Sequence, residues 1–311
     1  MARESRLISL ASILIDDVLQ IPHLPHRNGD VIASNNYRLV GGGLNILVAA
    51  KRLGLSSGYA GSHGQGTNSD AIRAALSSEN IEILTSPQSE RDSGICITFL
   101  EPDGARTFVT CPGIEAEPRY SDLADLELFE EDFIYISGYD LVYPLAGPVL
   151  EKFLRERVTN QRIIFDPGPL VAEIPNELLN LFLRRSAITS CNEDEHQFLI
   201  SKDLLGDIGG ALVTRSGSLG ANALSGVEFV HLPAPSVQVV DTTGAGDTHV
   251  GAMIAELALG ESLEQAVYFA NVCAAISVTR YGPATGPTRS EVAESGLFNS
   301  TNVSNLSNLF P

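Results

Sequence analysis

The feature that most constrains this chain is a rhythm. Short apolar runs that read as strands alternate with longer stretches of helical period. "RLISLASILI" (6–15), "SSGYAGSHG" (56–64), "DFIYISG" (132–138), "RIIFDPGP" (162–169), "SAITSCN" (186–192) and "GALVTRSG" (210–217) are the strand-like runs. "GLNILVAAKRLG" reads as a helix stopped by Gly54, and "SDAIRAALSSENI" sets Ile72, Ala75, Leu76 and Ile81 at helical spacing. The alternation specifies an α/β fold with a mainly parallel central sheet covered by helices, because parallel strands need crossovers and both sheet faces need cover. "RLISLASILI" is expected to be one first strand, ending at Asp16.

Two segments break the rhythm. "SGICITFLEPDGARTFVTCPG" alternates about Pro102-Asp103-Gly104, a hairpin signal, and "DDVLQIPHLPHRNGDVIASNNYRLVGG" lacks helical period. They are expected to form one small β-sheet from about 16–40 and 93–112, a lid inserted into a single domain spanning 1–311. Ile95, Ile97 and Phe99 would alternate on an exposed face of that lid, so a homodimer through it is expected.

Composition excludes several classes. With 44% hydrophobic and 19% charged residues the chain is an ordinary globular one. Its net charge of −18 argues against nucleic acid as a partner, since that needs a basic face. No apolar stretch reaches the ~18 residues of a membrane span. Arg3 and Arg6 precede the apolar run 7–15, but no small-residue cleavage site follows and the run meets Asp16-Asp17, so a buried strand is expected rather than a leader. Cys96, Cys111, Cys191 and Cys273 are scattered and read as free, mostly buried thiols of a cytoplasmic protein. The stretch "NSTNVSNLS" (299–307) contains three N-x-S/T triplets, read here as an Asn/Ser-biased end. His23 and His26, between prolines, make no convincing metal pair.

The chemistry concentrates in "VDTTGAGDTHVG" (240–251), within "GVEFVHLPAPSVQVVDTTGAGDTHVGAMIAELALG", which reads as a strand, a tight loop and a helix. Small residues at Gly244, Ala245 and Gly246 let backbone approach a ligand, and they precede an apolar helical stretch. Unpaired N–H groups at a helix start favour an anion, and Asp247 beside them could accept a proton from an attacking hydroxyl. A tight turn with Asp247 as helix cap is the competing reading.

With "GGGLNILVAAKRLG" (41–54) and Gly64, the string DTTGAGD resembles the two signatures of the ribokinase-like (PfkB) carbohydrate and nucleoside kinases, over about 7–292. The resemblance implies a ribokinase-like three-layer fold with a small β lid and a phosphotransferase using ATP with Mg²⁺. It implies Asp247 as the base and the amides of Gly244, Ala245 and Gly246 around the transferred phosphoryl. Asp16, Gly42, Gly43 and Asn45 would bind a small sugar, with adjacent Asp17 as the rival to Asp16. Asn192 and Glu195 in "CNEDEHQF" correspond to the NxxE element near the phosphates and Mg²⁺, although Asn192 also suits a helix cap. Arg215, Gly217 and Gly220 in "RSGSLG" correspond to the nucleotide loop, with Arg215 where a Thr is usual, and Asn271 to the adenine border. Asp241, Thr243, Ser277 and Gly282 resemble the monovalent-cation (K⁺) site of many members.

The chain departs from the pattern at "DPGPL" (166–170), where an Asn and an Arg are missing, and at Leu47, Gly66 and His249. His249 reads either as a core histidine or as a substrate contact. These departures bear on which sugar is bound; the resemblance implies that the acceptor is a hydroxymethyl group of a small carbohydrate, with a nucleoside as the alternative. A dinucleotide-binding oxidoreductase would need GxGxxG directly after the first strand, where this chain has "DDVLQIP". A non-catalytic sugar sensor would have lost the base.

Overall fold

The computed structural model describes residues 4–298. The 299–307 stretch with its N-x-S/T triplets lies outside them. In chain order the strands are β1 (Arg6–Ser9), β2 (Ile13–Gln20), β3 (Asn35–Gly42), β4 (Ser56–Tyr59), β5 (Glu82–Ile83), β6 (Ile95–Leu100), β7 (Arg106–Cys111), β8 (Phe133–Ser137), β9 (Arg162–Asp166), β10 (Ile188–Asn192), β11 (Ala211–Arg215), β12 (Ala221–Ser225) and β13 (Glu228–Leu232). The helices are α1 (Leu44–Arg52), α2 (Thr67–Ser78), α3 (Tyr120–Ala124), α4 (Gly138–Val142), α5 (Ala146–Glu156), α6 (Asn176–Arg185), α7 (Glu193–Ser201), α8 (Ala245–Ala258), α9 (Leu263–Ser277) and α10 (Arg289–Ser295).

Nine strands form the main sheet in the order β13-β12-β11-β10-β9-β8-β1-β4-β5. It is parallel except where β11, β12 and β13 meander back antiparallel. Helices cover both faces. One core lies under α1, α8 and α9 and holds Leu47, Val250, Met253 and Phe269. The other, under α5 and α6, holds Phe153, Phe165 and Phe182.

The two rhythm-breaking segments do pair, in a separate four-stranded sheet of order β3-β2-β6-β7. β6 and β7 are the hairpin read around Pro102-Asp103-Gly104, closed by Gly104 N–H donating to Glu101 O at 2.9 Å with Gly104 at φ +88°. β2 and β6 pair in parallel.

Three expectations need correction. "RLISLASILI" is two strands in two sheets. At Ser12 the backbone N–H turns to the Asp140 carboxylate at 3.2 Å while Ser12 O accepts from Gly43 N, so the chain leaves the main sheet there. Asp16 therefore lies within β2 of the small sheet, not at the end of a body strand. Second, β13 does not lead directly into the DTTGAGD loop. Residues 233–244 are irregular, beginning with Pro233 and Pro235, which have no N–H to give to a ladder. Third, Ile95, Ile97 and Phe99 are half-buried rather than an exposed stripe, which removes the premise offered for a dimer through this sheet.

Two departures find structural reasons. Leu47 is fully buried core. Gly66 sits at the start of α2 with φ +141°, and a Cβ there would lie 2.4 Å from Asp92 Oδ2. Asp92 caps the helix from a distance in sequence, accepting from Asn68 N at 3.0 Å and from Ser69 N at 2.8 Å. Among the described residues Cys96, Cys191 and Cys273 are buried free thiols, Cys111 is an exposed one, and no helix is long and apolar enough to cross a membrane.

Candidate active site

The parallel strands β8, β9 and β11 end on Ser137, Asp166 and Arg215, and β10 runs into α7 with Glu195 in its first turn. All four residues line one cavity of about 300 Å³ at the carboxyl ends of the strands, where open α/β sheets place ligands. The small sheet supplies the opposite wall with Leu14, Asp16, Cys96, Phe108 and Thr110. Gly42, Gly43, Asn45, Thr243, Gly244 and Asp247 complete the lining. A larger cavity of about 620 Å³ opens at the other strand ends, among Phe133, Arg162, Ile164 and Leu257, and no carboxylate lines it.

The DTTGAGD loop enters α8 through Gly244, at φ +72°, a left-handed conformation that a side chain resists. Its neighbour Ala245 turns its N–H back onto Thr242 O at 3.2 Å. The N–H groups of Gly244, Gly246 and Asp247 take no hydrogen-bond partner among the described residues. Unpaired donors and the positive end of a 14-residue helix dipole therefore converge there.

Asp247 does not cap the helix. It stands three residues inside α8, and its Oδ2 accepts from Asn45 Nδ2 at 2.8 Å. Burial, reinforced by the Asp166 charge and opposed by the Asn45 bond and Arg215, pushes its carboxyl up to about 6. Asn45 Oδ1 is buried with no partner among the described residues. An orphaned buried acceptor on a cavity wall suits a ligand hydroxyl.

Asp16 faces the cavity from β2, while Asp17 points the other way and pairs with Arg38 at 2.6 Å. Burial, with repulsion from Asp247 and Asp17, lifts the Asp16 carboxyl to about 6. Gly41, opposite Leu14, leaves room for Asp16. A Cβ there would sit 2.0 Å from Asp16 Oδ2. Gly43 also packs closely on the chain crossing, its Cβ position falling 2.6 Å from Ala11 O.

Arg215 is clamped on one side. Its Nη1 donates to Asp166 Oδ2 at 2.8 Å and to Ser190 Oγ at 2.6 Å. Its Nη2 stands 3.8 Å from Glu195, too far for a hydrogen bond. A Cβ on Gly246 would lie 3.6 Å from Nε and 3.9 Å from Nη2, so the unengaged edge of the guanidinium borders the helix start. Glu195 is pushed up to about 7 by burial and Asp166, against Arg215. Its two oxygens accept from Asn192 N and Nδ2, each at 2.8 Å. Asn192 thus caps α7 and also holds Glu195.

Other sequence-selected residues lie elsewhere. Gly217 and Gly220 adopt φ +56° and +101° in the turn after β11 and do not line this cavity. Asn271 is buried and donates to Leu232 O at 2.8 Å. His249 is buried in α8, away from the cavity lining, with burial pushing its ring down to about 3, so it is a neutral core histidine. His23 and His26 stack on the surface with ring centroids 5.9 Å apart.

Sequence reading missed Asp140, Tyr139 and Tyr143, which line the cavity, and Glu115. Asp140 holds Ser12, and Glu115 accepts from Gly94 N at 2.9 Å and Gly113 N at 2.7 Å. These are the points where the small sheet joins the body.

This arrangement gives the class: an α/β protein with a carboxylate beside a helix start whose N–H groups are unpaired among the described residues, under a four-stranded sheet. Solved structures share the architecture. An ATP complex of a sugar kinase from Pyrococcus horikoshii superposes with a TM-score of 0.80, at 20% identity over 93% of this chain and 97% of that one. An ADP complex of ribokinase from Cryptococcus neoformans gives 0.79 at 21% identity, covering 94% of this chain and all of that one. In sequence, an uncharacterized sugar kinase of Escherichia coli K12, YegV, is 34% identical over 303 residues, 93% of each chain. The pfkB family of carbohydrate kinases matches residues 12–289, and the chain belongs to that family.

Proposed function

We propose that this chain transfers the γ-phosphoryl group of ATP to a hydroxymethyl group of a small carbohydrate. The observation that carries the reading is Asp247, a carboxylate raised toward neutrality by burial and fixed by Asn45, beside the unpartnered amides that open α8. Asp247 takes the proton from the acceptor hydroxyl. That oxygen forms its bond to the γ-phosphorus as the bond to the β–γ bridging oxygen breaks, and ADP leaves with the bridging electrons. The amides of Gly244 and Gly246 and the free edge of Arg215 face the charge spread over the phosphoryl oxygens.

Asp16 and Asn45 orient the acceptor: Asp16 accepts from its hydroxyls, and the orphaned Asn45 Oδ1 gains the donor it lacks. Magnesium bound with ATP would neutralise phosphate charge. The oxygen donors Glu195 and Asp166 suit it chemically, but they are already engaged by Asn192 and Arg215, so they would hold it through its water shell. The small sheet closes the acceptor side with Phe108, 56% exposed and on the cavity wall, which a bound ligand would cover and which helps to keep water from competing as acceptor. The free thiols and the use of ATP favour a cytoplasmic setting.

The test is ADP release from ATP and Mg²⁺ across a panel of hexoses, pentoses, sugar acids and nucleosides, with thermal shifts for each. A carbohydrate that stimulates ADP release and stabilises the protein supports the reading. Stimulation by nucleosides alone transfers the assignment to a nucleoside kinase, and no stimulation by any acceptor sinks both.

A further inference from the structure

Arg106 opens β7 of the small sheet, yet its side chain crosses to the DTTGAGD loop of the body. Its Nη2 meets Asp241 Oδ1 at 2.5 Å and its Nη1 donates to Thr242 Oγ1 at 3.2 Å. The pair is largely enclosed, with 22% of the arginine side chain and 10% of the aspartate side chain exposed. Asp241 is the organiser of this loop. Its Oδ1 also accepts from Thr243 N at 2.9 Å and Thr243 Oγ1 at 2.7 Å, and its Oδ2 accepts from Gly282 N at 3.0 Å. Against the upward pull of burial, the Thr243 and Gly282 bonds and the Arg106 charge hold this carboxyl below the usual range.

Asp241, Thr243, Ser277 and Gly282 are the residues whose pattern implies a potassium site, and the donor set does not fit one as it stands. Three donors already crowd Asp241 Oδ1, one of them cationic. Ser277 O accepts from Thr285 Oγ1 at 3.2 Å, and Ser277 Oγ donates to Ala274 O at 2.8 Å. A cation at this carboxylate would have to displace the guanidinium.

We propose that Arg106 is a positioning residue that supplies, from the small sheet, the positive charge a monovalent cation would supply at Asp241, making docking of that sheet and ordering of the anion-binding loop one event. The kinase is then independent of potassium. Since Asp241 and Thr242 lie three and two residues before Gly244, loss of Arg106 from the β7 edge loosens the loop that presents the amides, while Asp16, held by the pairing of β2 with β3 and β6 and by Ser12 on Asp140, and Asn45, on α1, stay in place. The inference rests on the kinase reading for its kinetic consequence only. Its electrostatic part, competition between a guanidinium and an alkali cation for one carboxylate, needs no turnover.

The test compares wild type, R106Q and R106K in potassium chloride and in tetramethylammonium chloride at equal ionic strength, reading kcat, KM and melting temperature. Wild type and R106K are expected to give the same kcat and melting temperature in either salt. R106Q should lose kcat by about tenfold or more with a smaller change in acceptor KM. Potassium, now able to reach Asp241, should restore part of that loss and raise the melting temperature of R106Q. Potassium activation of the wild type, or an R106Q protein whose melting temperature ignores potassium, overturns the proposal. If no acceptor is phosphorylated at all, the melting temperatures still decide the Arg106 question, so its failure and the failure of the kinase reading are told apart. Should R106Q not fold in either salt, R106K decides: potassium dependence in that variant counts against the proposal, and independence supports it.

Discussion

Replacing Asp247 by Asn separates chemistry from architecture at one atom. The side chain keeps its shape, and its carbonyl oxygen can still accept from Asn45 Nδ2, the bond seen at 2.8 Å. No helix cap is lost, because the cap position belongs to Gly244. What is lost is the ability to take a proton. A positioned general base is worth roughly 10²–10⁴ in rate, so kcat should fall by that factor with little change in the KM for ATP.

Stability should move the other way. The carboxyl is raised from 3.8 to about 6 by burial, so at neutral pH the folded state carries a carboxylate it would rather protonate. At about 1.4 kcal/mol per unit, that places an upper bound of about 3 kcal/mol on the cost, reduced by water in the open cavity. The variant should therefore melt at the same temperature as wild type or higher at neutral pH, measured by calorimetry alongside steady-state turnover. A variant that keeps its activity refutes the assignment of the base. A variant that loses activity and also melts lower refutes the electrostatic account, since the loss would then be structural.

Other outcomes follow from the same geometry. Because Asp247 must be ionised to accept a proton and is raised to about 6, kcat/KM should fall as pH drops through about 6, and the residual activity of Asp247→Asn should show a shallower limb that keeps only the Asp16 step. Asp16→Asn should raise the acceptor KM by about 1–3 kcal/mol of lost binding, whereas Asp17→Asn, which only frees Arg38, should leave KM unchanged; the reverse result would put the sugar on the other face of β2. Asp92→Ala removes the acceptor for the first N–H groups of α2 and should cost about 1–3 kcal/mol in denaturant unfolding without altering KM for either substrate. Its carboxyl is held low by Ser69 and Asn68 against burial, so that contribution should fade only as pH falls below the ordinary carboxylate range.

Much of the main sheet was legible because its information is local. Each parallel strand carries its own apolar run, and the helix after it carries its own period. The DTTGAGD loop was legible for the same reason: Gly244 at positive φ and a carboxylate three residues inside the helix are consequences of adjacent residues. What escaped notice is what depends on distant partners. The break at Ser12 is set by Asp140, and the glycine at 66 is explained by Asp92. Arg106 reads as one more charge in a hairpin until the fold brings it to Asp241. Asp16 lines the cavity but sits at a different kind of position from the one expected, because apolar continuity from Leu7 to Ile15 hides a change of sheet.

The parallel pairing of β2 with β6 also sets an order of assembly. Ile15 meets Ile95 and Leu19 meets Phe99, partners 80 residues apart along the chain. Between them, after β3, lie α1, β4, α2 and β5, all parts of the main body. The chain must close that long loop before the first of these contacts forms, and it can do so cheaply only after the intervening elements have folded and shortened it. The β6–β7 hairpin and the antiparallel β2–β3 pair can each form by themselves, but the two pairs join only when the body has brought Gly94 to Ile15. The wall that covers the acceptor is thus favoured to close after the β1-β4-β5 edge of the main sheet and its helices have shortened that loop, whereas the still longer closure of β1 on β8, 126 residues apart, follows the same rule in the body itself.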